Sequence, residues 1–201
     1  MASSNLVIWN MALGLLKNSN SVENEDENSF EAEQIRIYYE TCVGFVLRDH
    51  LWNFAKKQQV LASTGTAPTG WEFQYIYPTD CIKAGRIYNP IDPQDILLDR
   101  IPFEVAKDPD SPGQVIWTNL DAAELIYGIN VTDPSRWTPD FDNALSLYLG
   151  HKIAFAISNS RQRAADLLTL YYATFDTAQT NNTREGTKNV DLQADWIGAR
   201  S

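Results

Sequence analysis

Disulfide chemistry is nearly closed to this chain, because Cys42 and Cys81 are the only cysteines in its 201 residues. So few thiols give no disulfide framework and point to folding in a reducing cytoplasm. In that setting the Asn-x-Thr triplets at Asn130 and Asn181 carry no glycosylation reading. Positive charge is also short: 16 Lys and Arg stand against 26 Asp and Glu, a formal net charge of -10. That balance argues against a nucleic-acid reader, which neutralises phosphates with clustered cations. It allows DNA to pass nearby without sticking, since like charges repel. No run approaches the roughly 18 apolar residues of a membrane span, so no membrane partner is expected. The start "MASSNLVIWNMALGLLKN" has neither a basic region before its apolar run nor a small-residue cleavage site, and does not read as a signal peptide. Phosphate loops, G-x-G-x-x-G, G-x-S-x-G and H-E-x-x-H are all missing, so no cofactor is expected.

What is present is ample core material, with 44% hydrophobic and 11% aromatic residues. The pattern predicts an α+β chain, mainly α. A bundle of about four helices carries a small antiparallel sheet inserted between the second and third, with an extended C-terminal tail. The parts are 1–62, N-terminal helices; 71–131, a β-rich lobe; 138–179, C-terminal helices; and 180–201, the tail. Val7, Ile8, Met11 and Leu15 give helical spacing from Asn5 to Lys17, closed by "NSNS". Asn28 and Glu31 form a capping box for a second helix that runs to about Ala62, with Ile35, Tyr38, Cys42, Phe45 and Trp52 in its stripe. Asp49 falls in that stripe and is expected to meet an Arg or Lys at its end. In "WEFQYIYP" the aromatic residues alternate with Glu72, Gln74 and Ile76, a strand buried on one face. "IPFEVA", "GQVIWTN" and "AELIYGINV" read as further strands. Thr138 can cap the third helix, Pro139 suits its first position, and Asp140 and Asp142 favour its positive end. "RQRAADLLTLYYATFDTAQ" gives a fourth.

Few residues suggest chemistry. His151 shares a helix face with Ala144, Leu147 and Ala154 and reads as a core or interface histidine. His50 diverges from Asp49, and nothing in the sequence brings either cysteine to a histidine. Asp140 and Asp142 could pair for glycoside hydrolysis, but residues two apart at a helix start point to different sides. Glu23, Glu25, Asp26 and Glu27 lack the spaced ligands of a calcium loop, leaving a solvated acidic cluster and no metal site beyond weak surface binding. The tail poses the sharper question. "TNNTREGTKNVDLQADWIGARS" is too polar to fold alone, yet it ends on Trp196, Ile197 and Arg200. Either the tail packs back on its own helices or a partner receives it; on the second reading Asp195, Trp196, Ile197 and Arg200 form a docking element, with the indole as anchor and Arg200 as a charged clasp.

A short helix, a long helix ending "LRDHLWNFA", a strand and "YPTDCIKA" come first. "LIYGINVTDPSRWTPDFDNALSLYLGHKIAFAIS" and the ending "DWIGARS" follow. In this order and spacing they resemble the tail tubular protein A family of tailed phages, the head-to-tail adaptors also called connectors or gatekeepers. Where that family often carries Leu-Ala pairs, this chain has Leu149, Gly150 and His151. The resemblance implies a structural virion protein of the tail neck, made in the host cytoplasm and without catalysis. It implies a ring of identical subunits, typically dodecameric, between the portal protein and the tail tube or nozzle, with the genome passing through its bore. The tail would dock on the portal, and the 23–27 cluster would face the bore or the tail platform. Two alternatives remain open on the residues: a tail-borne peptidoglycan hydrolase using Asp140, and a soluble helical regulatory protein.

Overall fold

A computed structural model describes residues 4–17, 20–89, 101–108 and 113–185. Four helices, α1 (Asn5–Leu15), α2 (Phe30–Asp49), α3 (Pro139–Ser158) and α4 (Arg161–Glu185), build the bundle. Six strands fall between α2 and α3 in chain order: β1 (Lys56–Val60), β2 (Phe73–Ile76), β3 (Cys81–Tyr88), β4 (Phe103–Lys107), β5 (Gln114–Thr118) and β6 (Glu124–Ile129). They form two antiparallel three-stranded sheets, ordered β1-β6-β3 and β2-β5-β4, where a single sheet was expected.

Helix α3 is the axis of the bundle, and α1, α2 and α4 all pack on it. Its Phe141, Ala144, Leu145, Leu149 and Ile153 are fully enclosed, as a helix apolar around much of its circumference requires. Trp52 ties this core together, with ring contacts to Phe54, Phe141 and Phe175.

Helix α2 departs from its expected course. Its cap is Ser29, whose hydroxyl accepts from the Ala32 N–H, while Glu31 accepts from Asn20 instead of closing a capping box with Asn28. It stops at Asp49, and the chain then turns into a short 3-10 segment and β1 in place of helix to Ala62. The Trp52 indole N–H donates to the Val46 carbonyl, satisfying one of the acceptors that a helix end orphans. The buried stripe is Ile35, Tyr39, Cys42, Val43 and Val46, so Tyr38 and Phe45 lie partly outside it. Helix α4 continues to Glu185, so residues 180–185, expected in the tail, are helical.

The strand lobe has a smaller core of Leu61, Tyr75, Ile87, Ile116, Leu125 and Tyr127. Gln74, expected on the outer face of its strand, is buried. Its amide accepts from the Trp117 indole and donates to Asp108.

Candidate functional site

The acidic loop that precedes α2 is built against the bundle. Asn10 fixes Val22 through both backbone groups, at 2.9 and 3.0 Å. Arg36 reaches up from α2 and donates to the carbonyls of Glu25 (2.6 Å) and Glu27 (3.0 Å). Glu27 in turn accepts from the Glu23 N–H. Hydrogen bonding to Ser29, then to the Glu23 N–H, holds the Glu27 carboxyl below its usual range. The four predicted residues do not act as one set. Glu25 and Asp26 open onto a cleft, whereas Glu23, Asp26 and Glu27 border a separate shallow depression.

That cleft, of about 640 Å³, lies between α1, the loop, α2 and the segment after β6. Trp9, Tyr39 and Trp137 supply its aromatic side, and Glu25, Arg36 and Glu40 its charge. The Tyr39 hydroxyl donates to Asn5, whose amide donates to Glu25. Burial, with the Glu25 charge second, pushes the Tyr39 hydroxyl well above the ordinary phenol range, so it acts as a neutral donor. Trp137 is anchored by its indole N–H on the Val131 carbonyl. The Trp9 indole N–H is buried and has no hydrogen-bond partner. Sequence reading missed this site. Its one early signal is the step of four in Arg36, Glu40, Gly44 and Arg48, which lays a polar stripe along an otherwise well-packed helix.

The cysteines, the histidines and Asp49, Asp140 and Asp142 do not line the cleft. Cys42 is buried, and burial pushes its thiol up to about 12, away from a reactive thiolate. The Cys81 thiol donates to the Tyr77 hydroxyl, and burial raises it too. His50 lies edge-on to Trp52 and Phe175; burial first, then the Lys83 and Lys56 charges, lower it to about 4. His151 is half-buried with Nδ1 2.9 Å from the Ala164 carbonyl, which places a proton on that nitrogen. Asp49 does meet a lysine, but through its backbone: Lys83 donates to its carbonyl, while its carboxylate accepts from the Tyr171 hydroxyl at 2.7 Å. Asp140 and Asp142 sit in the first turn of α3, with Asp140 exposed. Among the described residues no three of His, Cys, Asp and Glu are grouped to hold a metal ion, and no helix is long and apolar enough to cross a membrane. Asp195, Trp196, Ile197 and Arg200 lie outside the described residues. The sequence matches no family model and has no significant match among curated proteins.

Proposed function

We propose that this chain is a structural virion protein, a head-to-tail adaptor. It would form a ring between portal and tail tube or nozzle and line the channel through which DNA leaves. On this reading the strand region is a lobe inserted between the second and third helices, giving each subunit two unlike faces for a contact that closes a ring.

The observation that supports it most is a set of exposed apolar side chains on the outside of the bundle. Val7 and Met11 share one face of α1; Phe30 and Ile37 stand out from α2, and Leu170 and Tyr172 from α4, each between 38% and 59% exposed. A chain of this net charge that lived as a monomer gains nothing from so many uncovered hydrophobes, whereas subunits packed side by side would cover them. The acidic loop gives a surface that repels phosphate, as a conduit for DNA requires. Asp195, Trp196, Ile197 and Arg200 would anchor each subunit on the portal.

Mixing the protein with its phage's portal and imaging in negative stain tests the reading. Rings stacked under the portal are expected. Reversing Val7 and Ile37 to Asp should abolish the rings and leave a folded subunit, and a loss of fold in those variants would withdraw the surface argument.

A further inference from the structure

Charge is spread unevenly over the two halves of this chain. Opposed residues on neighbouring strands share one face of a sheet. Register therefore sets Lys56, Gly128 and Lys83 in one row across β1-β6-β3, Gln58, Ile126 and Arg86 in the next, and Val60, Glu124 and Tyr88 in a third. The opposite face holds Leu125, Tyr127 and Ile87 and packs into the lobe core. Three cations thus stand on the outer face against one carboxylate, Glu124, which accepts from Gln58. Among the described residues none of the three forms an ion pair; Lys56 donates to the Asn53 side chain and Lys83 to the Asp49 carbonyl. Burial, then the Arg86 charge, lowers the Lys56 amine below its ordinary range. Val60 adds an apolar side chain that is 60% exposed.

The outer side of α4 is the reverse. From Ala164 to Thr183 the helix has no Lys or Arg. Asp166, Thr169, Ala173 and Asp176 follow a three-four-three step along its exposed side, with Leu170 and Tyr172 standing out on the flanks. The short Thr169 and Ala173 let a flat surface come close between the two carboxylates. Lys56, Val60, Arg86, Asp166 and Asp176 are all exposed in the single chain.

We propose that the outer face of β1-β6-β3 in one copy receives the outer side of α4 from a second copy. Lys56, Lys83 and Arg86 meet Asp166 and Asp176, and the helix covers Val60. One chain carries both halves of the contact, opposite in sign and similar in extent. Asp166 and Asp176 are about 15 Å apart along the helix. Lys56 and Arg86 are roughly 12 Å apart on the diagonal of the sheet, two strand spacings across and two residues along, a difference that long side chains absorb. A helix laid on a sheet is an ordinary pairing of layers. Because the two surfaces differ, each copy gives one and receives on the other, a head-to-tail contact that continues from subunit to subunit. Exposed ion pairs contribute little singly, so the contact is weak between free copies. The consequence rests on the adaptor reading: by holding copies side by side, the portal makes this weak joint the one that closes the ring.

Zero-length carbodiimide cross-linking of the chain mixed with an equal amount of isotope-labelled chain tests this without a portal. Links between differently labelled chains are expected to join Lys56 or Lys83 to Asp166 or Asp176. They should outnumber links from the exposed Lys17 and Lys107 at least about fivefold, the preference that two or three exposed ion pairs supply. Salt at about 1 M should remove them. Reversing either surface, by Lys56→Glu with Arg86→Glu or by Asp166→Lys with Asp176→Lys, is expected to abolish the links. Mixing the two variants should restore them, and an unchanged thermal melt checks that each variant keeps its fold. Wild-type links spread evenly over the lysines, or confined to single chains, would overturn the proposal and leave the adaptor reading standing. The preferred links in a protein that never joins a portal would keep this inference and remove that reading.

Discussion

The bundle and the strand lobe are held together by different means. The bundle has one continuous apolar core, in which Trp52 meets Phe141, Phe175 and His50 edge to face and Phe54 at a tilt. The lobe has a few buried apolar residues and relies more on polar ties. Gln74 bridges Trp117 and Asp108, and the Tyr127 hydroxyl lies 2.9 Å from Asp80 and 3.0 Å from Gln59. Close apolar packing loses contacts across many neighbours when one residue is removed, whereas a net hydrogen bond exchanged for water contributes only about 1 kcal/mol. The difference leads us to expect that the bundle sets the stability of the whole and that the lobe opens before it.

The largest test of that contrast is Trp52→Ala. It removes the hub of the bundle and the indole bond to Val46, and a loss of about 3–5 kcal/mol is expected. Denaturant melts should show both regions failing together. In the lobe, Gly85→Ala would place a Cβ 2.6 Å from the Ile126 carbonyl and 2.8 Å from Leu51, at the irregularity in the β3–β6 pairing. About 1–3 kcal/mol should be lost there. Amide exchange should rise in β1, β3 and β6 and stay low in α3; equal loss of protection in α3 would show that the two regions are a single unit. At the junction, Tyr171→Phe leaves the Asp49 carboxylate without its donor and is expected to cost about 1.5–3 kcal/mol, read from the denaturant midpoint.

The smallest effect is a pH slope. The folded His50 is lowered to about 4 from an ordinary 6.5, so the unfolded chain binds the proton first as pH falls. The stability involved is fully present above pH 6.5 and is lost as pH drops toward 4. Half-burial limits it to roughly 1–2 kcal/mol. His50→Phe should flatten that part of the curve of stability against pH, and an unchanged slope would place its origin elsewhere.

Much of this was legible in advance wherever local pattern decides structure. Thr138, Pro139 and the two following aspartates marked the start of α3, and the alternating runs found β2, β4, β5 and β6. Strand β1 was hidden because "KKQQV" is exposed throughout and is held by pairing with β6 and by the Lys57–Asp80 ion pair, tertiary reasons invisible to periodicity. Strand β3 was missed because Gly85 and two register shifts break its alternation. The end of α2 was misread because Trp52 prolongs the apolar spacing after the backbone has already become extended at His50. The cleft was the least legible feature, since Trp9, Tyr39 and Trp137 come from three separate stretches and share a wall only after folding.

The reading of the chain as an assembling structural protein is tested most directly by native mass spectrometry of the protein mixed with purified portal. The account predicts one portal carrying a full ring of adaptor subunits, with the free protein monomeric beside it. Bare portals and unattached monomers at every ratio would contradict it.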